Sequence, residues 1–204
     1  AAGKRPSLVQ LLLKHNANAG FLAEKVGSPL HCSVLQRDEA IVEMLLLKGA
    51  HVDAEREDGT TPLHLAEEDI AKLLLERGAN ANETRNGLKT PLHHAIEKGY
   101  AEVVSMLLEK GAFVNAKDDR NETSLHRAVK KGNLQIIELL LNKMADIEAK
   151  TKDGMTPLHL AVKLLGRAQT SEDNLDHAIA SRLGNVDTAD LHGHTALHKA
   201  VDEV

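Results

Sequence analysis

One four-residue string recurs six times along the 204 residues, and it restricts the chain to a repeat architecture. The copies are Ser28-Pro29-Leu30-His31, Thr61-Pro62-Leu63-His64, Thr90-Pro91-Leu92-His93, Thr123-Ser124-Leu125-His126, Thr156-Pro157-Leu158-His159 and Thr195-Ala196-Leu197-His198. Successive histidines stand 33, 29, 33, 33 and 39 residues apart. A second string falls 14 or 15 residues before each histidine: Asn16-Ala17, Gly49-Ala50, Gly78-Ala79, Gly111-Ala112, Met144-Ala145 and a degraded Leu183-Gly184. Apolar runs such as Ile41-Val42-Glu43-Met44-Leu45-Leu46 and Ile136-Ile137-Glu138-Leu139-Leu140-Leu141 lie between the strings. A unit this short cannot bury its apolar stripe alone and has to stack on its neighbours.

The strings read as helix boundaries. Ser or Thr followed by Pro is a helix start: the hydroxyl caps free backbone N–H groups, and Pro suits the first helical position. Leu63 and Ala66, or Leu92 and Ala95, are three apart and share a helix face. Gly at the end of the second apolar run supplies a left-handed cap. Each unit is therefore two short antiparallel helices and a turn.

The Thr-Pro-Leu-His-x-Ala pattern and its 33-residue period resemble the ankyrin repeat, and the resemblance covers nearly the whole chain. It implies an all-α fold, a solenoid of helix-turn-helix units carrying β-turn fingers. The units fall as a partial repeat 1–22, repeats at about 23–55, 56–84, 85–117, 118–150 and 151–189, and a partial repeat 190–204, together a single domain 1–204. The resemblance also implies that the repeat histidines are structural, bonded to their own Ser or Thr and across to the next repeat.

The departures from the period carry their own expectations. The third copy is four residues short: His64-Leu65-Ala66-Glu67-Glu68 runs almost directly into Asp69-Ile70-Ala71-Lys72-Leu73-Leu74, which predicts a tightened turn and shorter helices. The sixth copy is six residues longer, with Leu164 to Asn174 in place of a short turn and a polar Gln169–Asn174 stretch that reads as an exposed loop. Met144 stands where Gly is usual, which places strain or a changed helix end there. Asn16 is better suited to that geometry. The first copy opens inside its second helix with Leu8-Val9-Gln10-Leu11-Leu12-Leu13, and the last stops inside its first helix. Neither end carries a polar cap, so the expectation is a fragment of a longer array.

Composition removes several classes of function. The single cysteine, Cys32, excludes an intrachain disulfide and reads as a small filler residue, since no base pairs with it. No apolar run is long enough to span a membrane, and the opening residues do not read as a signal peptide. Localisation is therefore expected to be intracellular, and the Asn82-Glu83-Thr84 and Asn121-Glu122-Thr123 sequons accidental. A net charge of −5 gives no support to a nucleic-acid binder. The three aromatics, Phe21, Tyr100 and Phe113, fall outside the positions where bases would stack. No phosphate loop, Cys-x-x-Cys pair or His-Glu-x-x-His helix is present. Of the 12 histidines six belong to the repeat string, and His192-x-His194 beside His198 reads as an exposed polar turn rather than a zinc site. The expectation is no cofactor, no metal and no catalysis.

In ankyrin arrays the finger tips before the Thr and the exposed side of the first helix line a concave groove. Mapped by register, that face carries Glu57, Asp58, Glu68, Lys89, Glu97, Lys98, Arg120, Glu122, Lys130, Lys131, Lys152, Met155 and Lys163. Acid gathers at the third copy and base from the fourth to the sixth, and a partner of opposite order would be steered onto it. Pairs such as Glu122 with a nearby Lys are expected to be exposed and to add little stability. The reading is a non-catalytic module that binds a protein partner by rigid display, either as a scaffold or regulatory segment or as a microbial effector. It is expected to be monomeric or part of a longer chain. The alternatives are a non-catalytic segment of a larger enzyme or channel, and recognition of an oligonucleotide.

Overall fold

The computed structural model describes residues 5–24, 26–85 and 88–165. The sixth copy beyond Leu165, the Gln169–Asn174 loop, the His192-x-His194 turn and the last partial repeat lie outside the described residues. The chain divides into two compact units, Ala1–Pro91 and Leu92–Val204, and the boundary falls inside a helix, not at a linker.

The described residues are helical, with no strand among them and three isolated antiparallel bridges at the finger bases: Ala23 with Gly27, Arg85 with Lys89, and Lys117 with Thr123. The first unit contains α1 (Arg5–Lys14), α2 (Pro29–Leu35), α3 (Glu39–Leu47), a single 3-10 turn (Pro62–His64) and α4 (Glu68–Glu76). The second contains α6 (Ala101–Glu109), α7 (Ser124–Lys131), α8 (Leu134–Asn142) and α9 (Pro157–Leu165), with α5 (Pro91–Lys98) crossing the boundary. Within the first unit α2 packs on α3, and α3 also packs on α1 and α4. Within the second, α7 packs on α8 and α9, and α6 on α8.

The recurring Gly-Ala string acquires a physical role at the ends of the second helices. Gly49 is left-handed, with its N–H bonded to Leu46 C=O and the next N–H, of Ala50, bonded back to Leu45 C=O at 2.9 Å. The same pair of bonds recurs at Gly78-Ala79, Gly111-Ala112, Met144-Ala145 and Asn16-Ala17. This is the Schellman closure, which satisfies carbonyls that a helix end would otherwise leave open. Met144 keeps the closure and takes φ of +60°, so the strained alternative is the one adopted. Asp38 and Asn133 then start α3 and α8 by accepting the N–H groups of Ile41 and Ile136, each at 3.1 Å.

The short third copy corrects one expectation. Its second helix, α4, keeps the nine residues of α3, α6 and α8. The whole deletion is taken from the first helix, which shrinks to the 3-10 turn Pro62–His64. The reason is the distribution of apolar contacts. Ile70, Ala71, Leu73, Leu74 and Leu75 all bury along α4, while the first helix needs only Leu63 and Ala66 to fill its place. Both of those are retained and buried.

Candidate protein-binding face

The repeat histidines His31, His64 and His126 explain how the finger that follows each of them is held. In the second copy the backbone N–H of Ser28 donates to His31 Nδ1 at 3.1 Å, and the Ser28 hydroxyl lies 2.9 Å from the same nitrogen. A backbone N–H can only donate, so Nδ1 accepts and the ring proton sits on Nε2. That Nε2–H donates to the carbonyl of Thr60, in the next finger, at 2.9 Å. His64 repeats the arrangement with Thr61 and with the carbonyl of Lys89, and His126 with Thr123 and the carbonyl of Met155. The rings are thus neutral clamps between one helix start and the finger that follows. Burial lowers the pKa of His31 and His126, against the opposing pull of the Thr60 and Met155 carbonyls. His93 is pushed down to about 4, first by burial and then by the Arg127 guanidinium.

A hydroxyl 2.8–2.9 Å from an imidazole has the look of a nucleophile and its base. Here each hydroxyl is buried, and each Nδ1 is already saturated by a backbone donor. A substrate cannot reach these oxygens, and their recurrence in register marks them as caps. Among the described residues no group of three or more His, Cys, Asp or Glu is placed to hold a metal ion.

The register-mapped residues divide between the two units. In the first, Glu57 and Asp58 are exposed at a finger tip, and Asp58 Oδ1 accepts the N–H of Thr60 at 3.0 Å. The Thr60 bonds hold the Asp58 carboxyl below its usual range. Glu68, at the start of α4, is half-buried and lies 3.6 Å from Lys72. Lys89 is half-buried, and its carbonyl serves His64.

In the second unit, Lys98, Arg120, Lys131 and Lys152 are exposed and Lys163 is half-buried. The finger tips of Arg120 and Lys152 are adjacent, since the Lys152 N–H donates to the Arg120 carbonyl at 3.1 Å. A cleft of about 350 Å³ opens beside them, lined by Glu122, Lys130, Thr151, Asp153, Met155 and Lys163 among others.

Two assignments to the exposed face are corrected. Met155 is buried, because its carbonyl is the acceptor for His126 and the clamp draws the finger inward. Glu122 is buried too, and its bond to Lys130 Nζ at 2.5 Å is not the exposed pair expected. Lys130 is therefore engaged within the chain rather than free for a partner. Glu97 is exposed but bonded to Arg127 Nη1 at 3.0 Å.

Sequence reasoning passed over the residue at the centre of this network. Asp118 is buried and accepts the N–H groups of Arg120 and Glu122 on Oδ1, at 2.8 and 2.9 Å. Its Oδ2 takes Arg127 Nη2 at 2.5 Å. Burial raises the Asp118 pKa, but Arg127 and the two N–H donors outweigh it and hold the carboxyl below its usual range. Asp118 thus fixes the finger that displays Arg120. The available signal was Asp where the two preceding copies have Arg56 and Arg85, together with an Arg directly after the repeat His.

No curated protein matches the chain. A family model described as ankyrin repeats (3 copies) matches residues 1–85, 30–118 and 116–172. Those matches span most of the sequence, and they agree with the paired helices, the left-handed closures and the histidine clamps. The chain belongs to the ankyrin-repeat family.

Proposed function

We propose that this chain is a non-catalytic protein-binding module that receives an acidic stretch of a protein partner on the finger tips of its second unit. Ankyrin repeats are in general protein–protein interaction modules. The observation that carries the finer reading is the pairing pattern of the cations. Arg127 and Lys130 are consumed by Asp118, Glu97 and Glu122. Arg120 and Lys152, on adjacent tips, and Lys131, at the end of α7, are exposed and in no ion pair among the described residues. Cations held on a rigid frame without an internal partner present charge at little ordering cost, which favours complementary association. The setting that fits is a scaffold or regulatory segment, or an effector, working inside a cell.

The test compares two baits in quantitative pull-downs from lysate. One is the native chain and the other carries Arg120→Glu, Lys131→Glu and Lys152→Glu, with helicity checked by circular dichroism. Loss of a specific protein from the variant alone, and weaker recovery of it at higher salt, supports the reading. Equal recovery from both baits, or no specific protein on either, overturns it.

A further inference from the structure

The ends of α1 and α3 enclose a cleft of about 340 Å³ within the first unit. Its two walls are helices that pack on each other. Leu13, Met44 and Leu47 supply the apolar part of the lining, and Gln10, Lys14 and Lys48 the main polar part. Leu13 is buried and Met44 half-buried, whereas Leu47 is 73% exposed. No carboxylate is among the lining residues.

Aligning the second helices on their closing strings sets this pair apart. Leu47 stands two residues before Gly49, where the third, fourth and fifth copies carry Glu76, Glu109 and Asn142. A lone exposed leucine is ordinary, but this one extends an apolar surface into a cleft from a position that is polar in those copies. Lys14 fills the same position in α1, with the charge opposite to that of Glu76 and Glu109. The rest of the polar lining departs as well. Between α3 and α4 the register sets Glu43 against Arg77, and their side chains pair at 2.7 Å. Between α1 and α3 the corresponding residues are Gln10 and Lys48, so an amide replaces the carboxylate. A base at the Lys48 position recurs in the other copies and suits a helix C-terminus. What is particular here is that Lys14 and Lys48 are both exposed and in no ion pair among the described residues.

These features define the chemistry of an occupant. The apolar part of the lining calls for a bulky apolar group, and a methionine beside two leucines adapts to an aromatic ring, with sulfur–ring contact as an added attraction. Two cations without an internal counter-charge favour carboxylates beside that group. The cleft stands at the small end of the range for ligand pockets, which suits a single anchoring side chain. Two copies of the chain meeting at this face would bring the lysines together, so self-association through it is disfavoured.

We infer that the cleft between α1 and α3 is a second docking site, which takes one aromatic side chain of a partner protein flanked by acidic residues. It shares no residue with the finger-tip site proposed above.

The probes are fluorescein-labelled dodecapeptides with a single central Trp or Phe among Glu and Ser. One control set has Lys in place of every Glu, and another has Ser in place of the aromatic. Binding to the 204-residue chain is read by fluorescence anisotropy, with light scattering for oligomeric state. The variants are Leu47→Glu, Lys14→Glu, and the finger-tip combination Arg120→Glu, Lys131→Glu and Lys152→Glu. The expectation is that an acidic aromatic peptide binds, that Leu47→Glu and Lys14→Glu each weaken it about tenfold or more, and that both control sets bind about tenfold more weakly. The finger-tip variant should bind as the native chain does. Leu47 and Lys14 are exposed, and unchanged urea midpoints show that the fold is kept. No binding of any acidic peptide, equal binding by the native chain and Leu47→Glu, or equal binding of the Glu and Lys peptides overturns the inference. Loss of binding in the finger-tip variant alone also overturns it and assigns the peptide to the other site. Binding of decanoate that Leu47→Glu abolishes, with no peptide bound, overturns it in favour of a small amphiphile. A dimer that Leu47→Glu dissolves overturns it in favour of a second copy.

Discussion

Acidification should destabilise this protein through its buried repeat histidines before Asp58 or Asp118 is protonated. His93 is buried with its pKa lowered to about 4 from an ordinary 6.5, so the unfolded chain binds the proton first as pH falls. Its stabilising contribution is complete above pH 6.5 and is lost as the pH drops from there toward 4. Between pH 7.5 and pH 5 the linkage relation gives a loss of about 2 kcal/mol from His93 alone. His31 and His126 shift in the same direction and add to it. The geometry supplies the reason at His31 and His126: a proton on Nδ1 would face the backbone N–H that now donates to it. Asp58 and Asp118 have lowered pKa values and act in a separate window, below about 3.8, so they remain ionised at pH 5. The assay is urea unfolding followed by far-ultraviolet circular dichroism at pH 7.5 and 5.0, on the native chain and on His93→Gln. The variant should be less stable at pH 7.5, yet lose about 2 kcal/mol less than the native chain on acidification. Equal losses in both proteins, or a native midpoint that does not move, would refute the argument from the buried histidine.

Three further substitutions test the packing and closure arguments. Arg127→Ala strips a buried carboxylate of its counter-charge and should cost about 3 kcal/mol by urea denaturation, whereas Arg37→Ala, in the exposed pair with Glu67, should cost under about 1 kcal/mol. At Gly78 a Cβ would meet nothing within 4 Å, so Gly78→Ala isolates the cost of the +86° φ and should lower stability by about 1 kcal/mol; Met144→Gly should raise the thermal midpoint. Leu74→Ala should cost about 2–5 kcal/mol, and Leu12→Ala, at the same register but exposed, under about 1 kcal/mol; similar costs at the two sites would contradict their difference in burial.

Much of the fold was legible because repetition turns weak local signals into strong ones. One Ser or Thr before a Leu-His pair is a modest helix start, but the same string recurring in phase marks the helix starts at Pro29, Pro62, Pro91, Ser124 and Pro157. The Gly-Ala string likewise gave the helix ends, including the unusual Met144, since a left-handed closure is a local backbone requirement. The site was less legible. Register placed Arg120, Lys131 and Lys152 on the exposed side correctly, yet gave no warning that Met155 would be drawn inward by His126 or that Lys130 would be captured by Glu122.

What the sequence by itself determined is therefore the repeat, its helix starts and stops, the structural duty of its histidines and the family. These follow from bonds made within a few residues, or from a period that any stacked unit must obey. Only the tertiary structure decided which charges are spent inside the protein and how the short third copy absorbs its deletion. Arg127 meets Glu97 across 30 residues and Asp118 across nine, and neither separation is a helical spacing. Such outcomes depend on the distance between units once stacked, which local sequence does not encode.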